Sequence, residues 1–200
     1  MAEKLTIEIF RKKPPEELTK SLAEAGSRTD IGSGAALTAA VASAYLIRAA
    51  ALTAEEQGSS ERLAYLQRNG EILRAYMVNL IDEDVKCRGP LRKAMKDGDT
   101  TRIEAARETA AAIANEIINM TNQLLTLLEE LSSIASPEAK RFVAASADLA
   151  LGAMQASMRY VLDLGARNSD ETYRYIVKRE NEITLGASRE CYERVLKNLE

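Results

Sequence analysis

The amino-acid sequence predicts an all-α protein, an up-and-down bundle of about six or seven helices in one domain that comprises residues 1–200. Apolar side chains make up 46% of the chain, enough for one hydrophobic core. Ala, Leu, Glu, Arg and Lys are abundant and favour helices, whereas the chain contains only two Phe, no Trp and four Pro. Apolar residues recur at spacings of three and four between short connections, which is typical of antiparallel helix bundles.

The first two predicted helices lie on either side of a Gly-rich turn. Pro14-Pro15-Glu16-Glu17 is typical of a helix start, and Gly26 of its end. After a turn over Ser27–Gly34, a second helix is predicted from about Ala35 to Glu56. Because small residues surround almost all of its first half, neighbouring backbones can approach closely. We expect a central, buried helix rather than a membrane span.

A third helix is predicted from Ser59-Ser60 to Gly89-Pro90, with a separate short helix from Pro90 to Lys96. A carboxylate, Asp84, ends a stripe whose other members are apolar or Gly. The stripe, at spacings of three and four, is Leu63, Leu66, Gly70, Leu73, Met77, Leu80 and Asp84. Desolvation on such a stripe raises a carboxyl pKa towards the range of a useful acid or base. Asp84 is therefore a candidate catalytic residue; an exposed position at the helix end is the alternative.

The last three predicted helices each begin with a capping pattern. These are a capping box from Thr101 to Glu104, then Ser136-Pro137-Glu138, and Ser169-Asp170-Glu171. The fourth helix carries an apolar repeat to Ile134, roughly nine turns at 3.6 residues per turn. The last carries Tyr173, Ile176, Ile183, Ala187 and Cys191 towards the C-terminus. Because the nine-turn apolar repeat of the fourth helix buries well against a second subunit, we expect a homodimer.

Composition excludes several classes of function. The net charge is −3, with 27 basic and 30 acidic residues mixed along the chain, so there is no basic stripe for nucleic acid and no polybasic membrane anchor. Histidine is absent from the sequence, which removes the usual zinc ligand and the usual general base. Cys87 and Cys191 lack metal-ligand spacing, so we expect reduced thiols, no metal and a cytoplasmic location. Met1–Lys13 has no apolar core of signal-peptide length.

The Gly-rich turn is a second candidate site. Gly32, Ser33 and Gly34 feed a helix start, where free backbone N–H groups and the positive end of the helix dipole favour an anionic or carbonyl ligand. A turn between two helices also uses glycine without any ligand. Two further acids, Asp148 and Glu180, have apolar neighbours and are interpreted as paired surface charges.

Three segments together resemble one protein family. Ile31-Gly32-Ser33-Gly34-Ala35-Ala36 is similar to a Pro-Gly-Gly-Gly-Ser/Ala turn that opens an Ala-rich helix, and Leu80-Ile81-Asp82-Glu83-Asp84 to a Leu-Ile-x-x-Asp segment. Asn168–Thr172 and Glu190–Val195 are similar in order and spacing to the final helix. The chain thus resembles the formiminotransferase-cyclodeaminase C-terminal domain family, which includes the methenyltetrahydrofolate cyclohydrolases.

This resemblance implies a dimeric helical bundle that binds a reduced folate in a cleft. It implies hydrolysis of 5,10-methenyltetrahydrofolate to formyltetrahydrofolate, with cyclodeamination of the formimino derivative as a sibling reaction. Asp84 would be catalytic, Gly32, Ser33 and Gly34 would bind substrate, and no cofactor beyond the folate substrate would be needed. Two alternatives remain, a diverged module that binds a folate or pterin without turnover, and a purely structural helical bundle.

Overall fold

A computed structural model describes residues 9–200, which form one 3₁₀ turn and six α-helices. The turn, Phe10–Lys12, precedes α1 (Pro15–Ala23), α2 (Ile31–Gln57), α3 (Glu61–Asp97), α4 (Thr100–Ser132), α5 (Lys140–Ala166) and α6 (Glu171–Leu199). The described residues contain no strand, so the predicted all-α bundle is confirmed. Most of the segment Met1–Lys13, which carried the prediction about a signal peptide, lies outside the described residues.

Helix α2 occupies the centre of the bundle and packs against α3, α4 and α5. Its small residues Ala36, Ala39 and Ala42 are fully buried. The hydroxyl of Ser146 on α5 donates a hydrogen bond of 2.6 Å to the carbonyl of Ala42, which shows how closely the two backbones approach. By length and hydropathy α2 could cross a membrane, and half of its most apolar stretch is buried inside this fold.

Helix α3 continues through Pro90 to Asp97, so the predicted helix end at Gly89-Pro90 is wrong. Proline removes one helical hydrogen bond and costs roughly 3 kcal/mol in a helix interior. Leu91 and Ala94 continue the buried stripe beyond it, and the Pro90 ring is exposed. Burial of these side chains therefore outweighs the local preference, and Asp84 lies in the helix interior rather than at an exposed end.

Other helix starts also differ from those predicted. Helix α2 begins at Ile31, four residues before the predicted start, so the Gly-rich turn is its first helical turn. Asp99 caps α4 by accepting a hydrogen bond of 3.1 Å from the Arg102 N–H, and the predicted capping box from Thr101 to Glu104 is wrong. The side chain of Glu104 instead accepts a hydrogen bond from the Ser169 N–H. Asp170 caps α6 within the predicted Ser-Asp-Glu segment.

The apolar residues of α6 are only partly buried. Cys191 is buried, but Ile176 and Ile183 are exposed and Ala187 faces solvent. The residues that contact the rest of the bundle lie a little further round the helix, at Val177, Asn181, Ser188, Cys191 and Val195.

Gly70 of α3 packs closely against α2, and we expect Gly70→Ala to destabilise the fold. A Cβ at this position would lie 2.7 Å from Leu46 Cδ2 and 2.8 Å from Ile47 Cγ1. Overpacking of this kind costs about 1–3 kcal/mol, which exceeds the gain of roughly 1 kcal/mol from replacing a helical glycine. Urea unfolding measures the change in the free energy of unfolding.

Gly186→Ala is the matched control, because a Cβ there meets no atom within 4 Å. This variant should gain about 0.5–1 kcal/mol. Equal stabilisation of both variants would contradict the close approach at Gly70.

Candidate functional site

Asp84 and Ser33 are joined by two hydrogen bonds across the start of α2. The Ser33 N–H donates to Asp84 Oδ2 over 2.9 Å, and the Ser33 hydroxyl donates to the same oxygen over 2.6 Å. The first N–H groups of a helix have no partner within the helix, so the carboxylate satisfies one of them and lies near the positive end of the helix dipole. Asp84 Oδ1 accepts no hydrogen bond from residues 9–200, so this oxygen is free to accept a proton.

Gly32 allows the carboxylate to approach the helix backbone. A Cβ at Gly32 would lie 2.7 Å from Asp84 Cγ and closer still to Oδ1. Any side chain at this position would therefore displace the carboxylate. Gly34 has more room, since the nearest atom to a Cβ there would be a Leu22 methyl at 3.8 Å.

Burial dominates the protonation of Asp84. The residue is 1% exposed, and its neighbours along α3, Ile81 and Val85, belong to an apolar cluster with Ala35 and Ala36 of α2. Burial raises the pKa of Asp84 above its ordinary value, and the two hydrogen bonds from Ser33 oppose the rise. The carboxyl group thus binds a proton more readily than a surface aspartate does.

A second pair, Arg88 and Asp30, lies beside the first. Arg88 follows Asp84 by one turn of α3, and Asp30 precedes the first residue of α2. The Arg88 guanidinium forms an ion pair with the Asp30 carboxylate. The pair faces a cleft of about 420 Å³, whose lining also includes Thr29, Gly34 and Arg92. Asp84 does not itself line this cleft. The ion pair between Arg88 and Asp30 borders the cleft on the side where Asp84 is buried.

Tyr160 of α5 completes the polar group. Its ring centroid lies 5.3 Å from the guanidinium carbon of Arg88, and the residue is 4% exposed. Its hydroxyl is buried and has no hydrogen-bond partner among residues 9–200. Burial raises the pKa of Tyr160 to about 12; the negative charge of Asp84 adds to the shift, and Arg88 opposes it. The hydroxyl is therefore protonated at neutral pH and available as a donor.

The other sequence candidates do not join this group. Asp148 is exposed and accepts a hydrogen bond of 2.6 Å from the Tyr192 hydroxyl, and Glu180 is exposed. Both cysteines are free thiols; burial raises the pKa of half-buried Cys87 and that of Cys191, the latter to about 12. In the part of the chain that the structure describes, no three His, Cys, Asp or Glu residues are grouped so as to hold a metal ion.

Three of the predicted residues, Gly32, Ser33 and Asp84, thus meet at one point, and Gly34 lines the cleft beside them. Sequence reasoning missed Arg88 and Tyr160 as site residues. Arg88 could have been found, because four residues after Asp84 is the next position on the same face of α3. Nothing in the sequence pattern marks Tyr160, whose position depends on how α5 packs.

Asp84→Asn should increase stability at neutral pH. Because the folded protein holds the Asp84 proton more tightly than the unfolded chain does, the contribution of this group to stability is fully present below the unfolded pKa. It is lost as the pH rises through the unfolded value towards the folded one. Replacing the desolvated carboxylate with a neutral amide removes that loss. Thermal unfolding at pH 7 and near pH 3.5 measures the effect, which should be present at pH 7 and shrink in acid. A variant less stable than the parent at pH 7 would contradict it.

Comparisons with known proteins agree with this architecture. A formiminotetrahydrofolate cyclodeaminase from Thermotoga maritima has a similar structure, with a TM-score of 0.87 and 23% sequence identity over 94% of this chain and 96% of that one. No curated protein sequence matches the chain. The profile of the formiminotransferase-cyclodeaminase family matches residues 15–182, a span that includes every residue of the site described above. The chain therefore belongs to the formiminotransferase-cyclodeaminase family.

Proposed function

We propose that this protein hydrolyses 5,10-methenyltetrahydrofolate to formyltetrahydrofolate, with Asp84 as the group that accepts and returns the proton. The observation that carries the proposal is the state of one carboxylate. Ser33 fixes its Oδ2, Oδ1 accepts no hydrogen bond from the described residues, and burial raises its pKa. A group of this kind holds a proton more readily than a surface carboxylate does, so it can act as an acid or base without histidine.

The reaction needs few other functional groups from the protein. The methenyl carbon is part of an amidinium cation and is already electrophilic, so catalysis needs positioning and a proton acceptor. Water adds its oxygen to this carbon and gives a proton to Asp84 Oδ1. Asp84 then returns this proton to one of the two nitrogens, and the bond from carbon to that nitrogen breaks. The remaining hydroxyl proton is released to solvent, which leaves a formyl group and the Asp84 carboxylate.

The cleft supplies a binding region for the folate in this proposal. Gly34 lines it, and Gly32 and Ser33 lie behind Gly34 against Asp84. Membership of the formiminotransferase-cyclodeaminase family supports a reduced folate as the ligand. No cofactor is required beyond the folate itself.

Cyclodeamination is the second candidate, favoured by the structural similarity to a formiminotetrahydrofolate cyclodeaminase. In that reaction an amine leaves as ammonia and needs a proton. The raised pKa of Asp84 suits this step as well, because it keeps a larger fraction of the carboxyl group protonated. The first reaction consumes a methenyl bridge and the second creates one, so the substrate separates them.

The test of the first reaction follows the absorbance of methenyltetrahydrofolate with purified protein against a buffer blank, since this compound also hydrolyses unaided. We expect decay above the blank in proportion to protein. Asp84→Asn should slow the catalysed part by about 10²–10⁴-fold, the usual contribution of a positioned acid or base. Ammonia release from the formimino derivative tests the sibling reaction in parallel.

Glu83→Gln is the matched control. It makes the same chemical change one residue away, at a half-exposed carboxylate that is ion-paired with Lys86 over 2.6 Å. It should keep the parental rate. If the parent decays the substrate no faster than buffer, cyclohydrolase activity is excluded; folate binding without turnover then indicates a binding module, and absence of both indicates a structural protein.

We also propose that the protein is a cytoplasmic homodimer. The two free thiols support the location. A stripe on α3 supports the dimer, because Tyr65, Ile72 and Tyr76 are exposed at spacings of seven and four and so share one side of the helix. Ile72 alone leaves 64% of its surface exposed.

Light scattering should give a mass of about 44 kDa, twice the 21.9 kDa of one chain. Ile72→Lys should shift the mass towards one chain without lowering helix content, because a charge in an apolar interface is unpaired there. A parent that is monomeric at tens of micromolar protein would contradict the dimer.

A further inference from the structure

A buried hydroxyl without a partner among the described residues belongs to Tyr160, whose ring lies beside Arg88 at the edge of the cleft. Hydroxyls taken out of water without a hydrogen bond are rare in folded proteins because the lost bond to water is not replaced. Tyr160 is 4% exposed, and its hydroxyl, like those of Ser136 and Ser157, is buried with no partner within residues 9–200. A phenylalanine would fill the same space without that loss, so packing alone does not explain the hydroxyl.

The surroundings of Tyr160 indicate what kind of atom would pair with it. The Arg88 guanidinium lies over the tyrosine ring, and Arg88 also has a buried Nε without a partner among the described residues. Tyr160 is protonated at neutral pH, so it and Arg88 are both hydrogen-bond donors. Two donors beside one another favour an acceptor that carries negative charge or a carbonyl dipole.

Asp84 is one turn from Arg88 on the same face of α3. Its negative charge raises the pKa of Tyr160, so the two groups lie near each other. An oxygen that accepts a hydrogen bond from Tyr160 could lose a proton to Asp84 while the Tyr160 hydroxyl stabilises the electron density it gains, and Arg88 orients the tyrosine ring. That is the requirement for adding water to an electrophilic carbon.

We propose that the Tyr160 hydroxyl donates a hydrogen bond to the oxygen that water brings to the one-carbon unit, so that it holds the formyl oxygen of the product. Arg88 is a positioning residue that fixes the tyrosine ring and, through Asp30, the edge of the cleft. The ligand's identity rests on the proposed function. The hydrogen bond forms as water adds its oxygen to the methenyl carbon and gives one proton to Asp84. That proton then moves to the leaving nitrogen, the second proton of the water is released to solvent, and the oxygen becomes the formyl carbonyl.

Tyr160→Phe tests the proposal by a split between kinetic constants. Because the methenyl substrate lacks this oxygen, the hydrogen bond exists only once water has added. The variant should lower kcat by tenfold or more with little change in KM. Its melting temperature should be unchanged or higher, because the unpaired hydroxyl has been removed. A rise in KM at constant kcat would overturn the assignment to this oxygen, and unchanged kinetics would overturn any role for the hydroxyl.

Tyr192→Phe is the matched control. Its hydroxyl already has a protein partner, Asp148, which precedes Tyr160 by twelve residues on α5, about 18 Å along the helix. This variant should keep kcat and should not gain stability. The two substitutions remove the same atom from tyrosines with opposite hydrogen-bond states.

Equilibrium binding separates this proposal from the proposed activity. The parent should bind 5-formyltetrahydrofolate more tightly than tetrahydrofolate, which lacks the formyl oxygen, and Tyr160→Phe should lose that preference. A parent that prefers the formyl compound and loses that preference in Tyr160→Phe, yet fails to hydrolyse the methenyl compound, would reject the activity and support the role of the hydroxyl. A parent that hydrolyses the methenyl compound but binds the two folates equally tightly would support the activity and reject the role of the hydroxyl. Binding of neither compound, with no hydrolysis, would reject both.

Discussion

The pair of hydrogen bonds from Ser33 to Asp84 is the contact on which the site depends. A carboxylate in an apolar cluster is costly unless donors surround it, and the N–H groups in the first turn of a helix lack acceptors. Here the two groups satisfy each other, because the Ser33 N–H and hydroxyl both donate hydrogen bonds to Asp84 Oδ2. The pairing also makes the two carboxylate oxygens different. Oδ2 accepts both hydrogen bonds from Ser33, and Oδ1 accepts none from the described residues, so only Oδ1 is left to contact a ligand.

Such a contact requires two long helices to meet with almost no side chain between them. Gly32 permits it at the start of α2, and Gly70 permits a second close approach against Leu46 and Ile47 near the middle. The buried alanines of α2 allow α5 to come close on another side, where Ser146 reaches the Ala42 carbonyl. Small residues along one central helix therefore bring α3 and α5 near each other, and with them Asp84, Arg88 and Tyr160.

The periodic signals in the sequence were enough to predict the bundle and to place Asp84 on a buried stripe. Local rules failed where a distant residue decided the outcome. Helix α2 begins at Ile31 rather than at the predicted Ala35 because Asp84, 51 residues from Ser33, accepts a hydrogen bond from an N–H of its first turn. Helix α3 passed Pro90 because burial of Leu91 outweighs one lost hydrogen bond. The family resemblance assigned Ser33 and Asp84 to one site but did not predict the hydrogen bonds between them. Tyr160 was not predicted because it enters the site from a third helix.

The energetics of these buried groups favour a binding site over a structural bundle. Ser43, Thr53 and Thr121 show how a buried hydroxyl is satisfied cheaply, by donating to a carbonyl of its own helix. The Tyr160 hydroxyl has no such partner, and burial makes the charged form of Asp84 unfavourable. Leucine at one position and phenylalanine at the other would pack without either cost. Both unfavourable groups adjoin Arg88, which lines the cleft, and strain of this kind gathers where a ligand can relieve it. A ligand that offers one oxygen to Tyr160 and one proton to Asp84 would satisfy both groups at once.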